Sequence, residues 1–400
     1  MTGVMAQHPS AHLDRFRERT RLVHAGRDPF EQHGFVNTPI YRGSTVLYPN
    51  VDEFLHRRNT KFTYGTQGTP TIRSLETAWS GLAGAAETVL TPSGLAAITL
   101  ALMTVCEAGT HILVPDSVYR PTRNFCDTVL RRLGIETTYY DPLLGEDIRE
   151  LFRPNTTVVF TEAPGSQTFE MQDIPAIAAV AHARDAVVLM DNTWATPLFF
   201  PPHENGVDIC IEAGTKYLSG GSDLLIGLTS ANETWAKRLR DTASAFAMCA
   251  GPEDAFLGLR GLRTMALRLK EHERQALEMA RWFEARPEVA RVLHPALESD
   301  PGHAIWKRDF KGSSGLFSII LKPASREALA AMVDGLELFG IGASWGGFES
   351  LVLPFDPRAY RTATRWEAEG PALRFHIGLE DLDDLKADLE AGFDRLRATA

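Results

Sequence analysis

Cysteine is scarce: Cys106, Cys126, Cys210 and Cys249 are the only four in 400 residues, and none sits in a CxxC spacing. A disulfide framework is therefore not expected, and the four suit buried or free thiols of a reducing compartment. Long apolar runs are missing as well. The longest, Leu95 to Val105, is interrupted by Thr99 and Thr104 and falls short of the roughly 18 residues of a membrane span. The first twenty residues are polar and charged without an apolar h-region, so the cytoplasm is the expected location. Basic excess is absent: a net charge of -10 and a pI near 5.7 argue against nucleic acid or an anionic membrane as partner. The 12 histidines are scattered, and Glu271-His272-Glu273 lacks the HExxH arrangement, so no metal site is expected and the cluster reads as a solvated helix face. Repeats and low-complexity tracts are not evident.

What is present is an ordinary globular composition, 44% hydrophobic and 23% charged, enough for two or three domains of roughly 100–200 residues each. Residues 1–64 are rich in Pro, Gly, Arg and Asn with little periodicity, which predicts an extended N-terminal arm that leans on a neighbouring subunit. From 65 to 260, apolar β-branched runs such as His111 to Pro115 and Thr157 to Phe160 alternate with helical stretches such as Pro175 to Arg184. That alternation predicts an α/β domain, a mostly parallel sheet with helices on both faces. Residues 261–400 offer a long helix to about Arg286, a strand at Leu316 to Leu321 and a helix from Arg326 to Phe339, a smaller α+β domain.

Three segments carry chemistry. Thr215-Lys216-Tyr217 follows the strand-like run Val207 to Ile211, and Ala213-Gly214 lets the backbone turn close to a ligand. A lysine buried there can shed its charge and act as a Schiff-base nucleophile, while an exposed loop lysine is the plainer alternative. Asp191-Asn192-Thr193 ends the apolar run Ala186 to Met190. The carboxyl ends of strands line the ligand crevice of an open α/β sheet, so Asp191 points at a ligand, with a cap or turn as its plainer role. Thr91-Pro92-Ser93-Gly94-Leu95 opens a helical stretch and presents backbone N–H groups suited to a phosphate, though ordinary N-capping looks the same.

Together these segments resemble the fold-type I, pyridoxal phosphate-dependent enzymes of cysteine and methionine metabolism. The likeness runs from about Thr20 to Leu396 through Glu170 to Pro175, Arg263 to Leu269, Trp306 to Phe310, Gly312 to Ser318, Ser344 to Leu351 and Leu373 to Glu380. It implies pyridoxal 5'-phosphate as cofactor, held covalently on Lys216 as an aldimine. It also implies that Asp191 pairs with the pyridine nitrogen and that Tyr119 stacks on the ring. Ser93, Gly94, Leu95, Thr193 and Thr215 would complete the cofactor site. Arg374 would clamp the substrate α-carboxylate, helped by Ser344, Trp345 and Tyr64. Tyr64 would reach in from a neighbouring subunit of a homotetramer built as a dimer of dimers.

Three positions depart from the family pattern. Thr66 stands where many members have an arginine, Ala213 where many have serine, and Ser166, in Glu162-Ala163-Pro164-Gly165-Ser166, where asparagine is common. Arg58 or Arg73, or extra backbone donors, are the candidates to make up for the missing cation. The resemblance implies β-elimination of L-cystathionine to homocysteine, pyruvate and ammonia. γ-Elimination from cystathionine or methionine, sulfhydryl transfer to an acyl-homoserine, and a cofactor-binding regulator without turnover are the alternatives. Fold and cofactor do not choose among them; the Ser344-Trp345-Gly346-Gly347 loop is the feature that points to the β side.

Overall fold

The structure, a computed structural model, describes residue 13 and residues 15–57 and 60–399. Seven strands form the larger sheet: β1 (Glu87–Thr91), β2 (His111–Pro115), β3 (Glu136–Tyr140), β4 (Thr156–Glu162), β5 (Val187–Asp191), β6 (Ile209–Glu212) and β7 (Gly227–Ala231). Their order is β1-β7-β6-β5-β4-β2-β3, with β7 antiparallel to both neighbours and every other pair parallel. Six of the seven carboxyl ends therefore lie along one edge.

The central strands are apolar throughout because both faces are covered. Alternate residues serve opposite faces. Val158, Phe160 and Leu189 join the core beneath the helix Gly94–Val105, with Ala97, Ile98 and Ala101. Val159, Val188 and Met190 meet Ile177, Ala178 and Ala181 of the helix Ile174–His182 on the other side. This is the α/β arrangement expected.

The smaller sheet contains β8 (Val289–Leu293), β9 (Leu316–Leu321), β10 (Gly340–Ile341), β11 (Leu351–Phe355) and β12 (Ala372–His376) in the order β10-β11-β12-β9-β8. Helices Pro252–Glu284, Arg326–Asp334 and Leu382–Thr399 bury Phe317, Ile319, Leu373 and Phe375 on one of its faces, with Phe283, Met332 and Phe393. By the same two-residue period, Arg374 and His376 point to the opposite face. The boundary expected at 260/261 falls inside the 33-residue helix Pro252–Glu284, which carries the chain from one sheet to the other.

One expectation needs correction. His272 is not on a solvated face: it is fully buried in the helix Pro252–Glu284, and its Nδ1–H donates to Ile377 O (2.9 Å). One polar position hidden between charged neighbours is invisible to composition. Arg73 is already engaged, 2.8 Å from Glu76 and 3.5 Å from Glu87, while Arg58 lies outside the described residues. The arm beyond residue 14 includes short helices at Glu18–His24 and Val51–Leu55 and a bridge between Thr45 and Tyr64.

Candidate active site

At the carboxyl edge of the larger sheet, facing the smaller one, lies a cavity of about 260 Å3. Ser93, Gly94, Leu95, Tyr119, Asp191, Thr193, Thr215, Lys216, Trp345 and Arg374 all line it, with Glu162, Ser166 and Ala213. Residues as far apart in sequence as Ser93 and Arg374 thus converge on one space. Ser344 joins them through Lys216, whose Nζ donates to Ser344 Oγ at 2.7 Å. Tyr64 does not: it is half-exposed and absent from the cavity wall.

On the large sheet each group is placed by the end of an element. Ser93 caps the helix Gly94–Val105, accepting from Ala96 N (3.1 Å), and its carbonyl accepts from Ala97 N. The N–H groups of Gly94 and Leu95, first in the helix, have no acceptor among the described residues and suit an anion together with the helix dipole. Gly94 is fixed by close approach, since a Cβ there would lie 2.6 Å from Ala213 Cβ. Thr215 Oγ1 accepts from Ile226 N (3.1 Å) and donates to Ile226 O (3.2 Å), so its proton must leave that carbonyl to serve a phosphate.

Asp191 ends β5, and its Oδ1 accepts from both Thr193 N (3.1 Å) and Thr193 Oγ1 (2.5 Å). Thr193 Oγ1 in turn accepts from Ala213 N (2.9 Å), tying β5 to the turn that carries Lys216. Burial raises the Asp191 carboxyl, opposed by Thr193 and Lys216. A cation arriving at that carboxylate would favour its charged form, as a protonated pyridine nitrogen does. Lys216 is pushed down to about 8, chiefly by burial and then by the Arg374 guanidinium, against the pull of Asp191. Its Nζ stands 5.3 Å from the centre of the Trp345 ring.

Two carboxylates stand beside Asp191: Glu162, whose segment the sequence placed by resemblance without giving its carboxylate a role, and Glu212, which it did not single out. Glu162 and Glu212 are the last residues of β4 and β6, and Glu162 lies in register with Asp191. Burial first, and Asp191 next, raise both well above the usual range. Glu162 Oε2 accepts from Tyr119 N (2.8 Å) and so fixes the start of the Tyr119 segment. The available signal was that three successive apolar strands each end in an acid.

Arg374 projects from β12 and is 7% exposed. Its Nη2 donates to Ala343 O (3.0 Å) and Ser344 O (3.1 Å), with Gly342 O at 3.5 Å, and it meets no carboxylate among the described residues. A buried guanidinium lacking an anion, with Nη1 and Nε still open, is a carboxylate site. No metal-ligating cluster of His, Cys, Asp or Glu occurs among the described residues. No helix among them is long and apolar enough to cross a membrane.

Comparison with known proteins agrees with this geometry. The family model described as Cys/Met metabolism PLP-dependent enzyme matches residues 19–394. Cystathionine beta-lyase MetC of Escherichia coli is 42% identical over 94% of this chain and 98% of its own length. Cystathionine beta-lyase of Salmonella typhimurium is 43% identical over the same shares. Among solved structures, metB from Corynebacterium glutamicum superposes with a TM-score of 0.89 at 29% identity, covering 96% of this chain and 99% of that one. The chain belongs to the Cys/Met metabolism PLP-dependent enzymes, and pyridoxal phosphate is its cofactor.

Proposed function

We propose that this enzyme cleaves the Cβ–S bond of L-cystathionine by β-elimination, releasing homocysteine, pyruvate and ammonia, and that Lys216, Asp191, Tyr119 and Arg374 carry the reaction. The observation behind this reading is a half-buried amine of lowered pKa sharing one cavity with a buried guanidinium that lacks a carboxylate partner among the described residues. An α-amino acid offers that pair its own amine and carboxylate. The relatives named cystathionine beta-lyase, matched over nearly their whole length, support the bond assigned.

Bound pyridoxal phosphate supplies the electron sink that lets Cα give up its proton. The residues do the rest. The N–H groups of Gly94 and Leu95, with Ser93 and Thr215, hold the phosphate. Asp191, steadied by Thr193, would hold a proton on the pyridine nitrogen, and Tyr119 would stack on the ring. Arg374 takes the α-carboxylate through the donors its loop carbonyls leave open, which fixes Cα over Lys216. Lys216 Nζ removes the Cα proton and returns a proton to the departing homocysteine thiolate. A value of about 8 leaves an appreciable share of neutral amine near neutral pH. Ser344 Oγ, 2.7 Å away, keeps Nζ aimed.

The same reading gives residues 1–64 to an arm, 65–260 to the cofactor domain and 261–400 to the small domain. It makes the assembly at least a dimer and, by the resemblance, a tetramer. Phe35, Leu47 and Leu55 on the arm are 70%, 88% and 66% exposed, an apolar surface that a second subunit would cover. All four cysteines are free thiols, which supports the cytoplasm.

The deciding experiment is to supply L-cystathionine to the cofactor-loaded enzyme and identify the keto acid. Pyruvate with homocysteine is expected. Release of 2-oxobutyrate with cysteine would overturn the reading in favour of γ-elimination.

A further inference from the structure

The loop that touches the amine of Lys216 is held from below by a histidine outside the reaction scheme. Gly346 N–H stands 3.2 Å from His376 Nε2 and Gly347 O stands 3.1 Å from the same atom. Arg374 and His376 are two residues apart on β12 and so share a face. Arg374 holds the carbonyls of Ala343 and Ser344, and His376 holds the next turn of the same loop.

The loop has little freedom where it presses on Lys216. Gly346 has φ of +83°, and a Cβ on it would come within 2.9 Å of Lys216 C and 3.0 Å of its Cα. Two residues earlier, Ser344 Oγ receives the hydrogen bond from Lys216 Nζ at 2.7 Å. A displacement of the turn therefore reaches Nζ by two routes, through the lysine backbone and through the serine hydroxyl.

His376 is built in as a rigid part. It is 1% exposed, its ring centre lies 5.2 Å from that of His272 and 6.2 Å from that of Tyr217, and Tyr217 packs against Trp345 at 5.5 Å. Tyr217 Oη accepts from Gly315 N, and His272 is fixed on Ile377 O. The charged and titratable groups around the ring are thus His272, Tyr217, Arg374 and Lys216. Burial first, and then His272, hold the imidazole down at about 3, so it is neutral, and Nε2 bonds to the turn by accepting from Gly346 N–H or by donating to Gly347 O, according to its tautomer.

We propose that His376 is a positioning residue: by fixing the Gly346–Gly347 turn through Nε2 it sets the contact between Ser344 Oγ and Lys216 Nζ on which proton transfer at Cα depends. The proposal rests on the β-elimination reading for its substrate but not for its spectroscopic test.

His376→Leu keeps the packing volume and removes the nitrogen that bonds to the turn. The expected result is a fall in kcat on the order of tenfold on L-cystathionine, with KM changed much less. The pH midpoint of the holoenzyme's visible absorbance, which follows the proton on the Lys216 nitrogen, should move downward by about half a pH unit, because the charged form loses an acceptor. His376→Gln, whose amide can meet the same backbone groups, should recover kcat to within about threefold. Gly346→Ala, with His376 intact, should reproduce both changes by pushing the turn off the lysine, and it decides the matter if His376→Leu does not fold. Unchanged kcat and midpoint in either folded variant would overturn the proposal. If the wild-type enzyme released no pyruvate, the β-elimination reading would fail while the absorbance midpoints still tested His376.

Discussion

The two sheets meet at one cavity but deliver their groups differently. The large sheet works through strand ends: Asp191 is the last residue of β5, Ser93 lies two past β1, and Lys216 lies four past β6. The small sheet works through a strand face, with Arg374 and His376 reaching from β12 to grip a turn thirty residues away in sequence. Strand-end groups are fixed by hydrogen-bonded backbone next to them, so their relative positions survive changes elsewhere. Strand-face groups act through a loop, and their geometry depends on how the sheets face each other. The division this suggests puts the reacting groups on the rigid edge, and on the adjustable side the groups that place the substrate and aim Lys216.

Replacing a group on the rigid edge should give the largest effect. Asp191→Ala removes the charge that would keep the pyridine nitrogen protonated, and kcat should fall on the order of 10²–10³-fold with KM little changed. Steady-state kinetics on L-cystathionine would check this. Unchanged kcat with only a raised KM would dissolve the division, because a strand-end group would then be acting as a binding group.

Arg374→Ala is the counterpart on the small sheet. A charge-assisted bidentate contact contributes roughly 1.5–3 kcal/mol, so kcat/KM should drop about 10–100-fold, mostly through KM. The loop carbonyls of Ala343 and Ser344 lose their donor in the same variant, so part of the loss should appear in kcat. A pure KM effect would mean that the loop holds its place without Arg374 and would sharpen the case for His376 as its main support.

The same contrast explains what the sequence made legible. Strand-end residues break an apolar run, so Lys216, Asp191 and the Ser93-Gly94 turn stand out as punctuation, and the alternating runs made the α/β sheet readable from pattern alone. Groups on a strand face leave no such mark. His376 looks like any polar residue at the end of a strand, and His272, between two glutamates in a charged helix, looked solvated although it is fully buried. Glu162 and Glu212 were hidden for another reason: a buried carboxylate gains meaning only from its neighbours across the sheet. The contact between Lys216 and Ser344 spans 128 residues, and no local pattern encodes it.

The arm is the third region and the one the cavity of a single chain leaves out. Thr66, in the turn Gly65–Gln67, stands where the family resemblance places an arginine, and Tyr64 beside it is half-exposed. Arg73 is paired with Glu76 through Nη1 and does not line the cavity, whose cationic groups are Lys216 and Arg374. Phosphate binding then rests on neutral donors and the helix dipole. Thr66→Arg should therefore tighten the cofactor, by about tenfold if the new guanidinium makes one charge-assisted contact. Equilibrium dialysis of the apoenzyme against pyridoxal phosphate would measure it. If the segment acts on a neighbour's site as proposed, the gain should vanish in any preparation that sediments as a monomer. Unchanged affinity in an intact oligomer would mean that the arm does not reach the phosphate, and the cofactor site would then be complete within one chain.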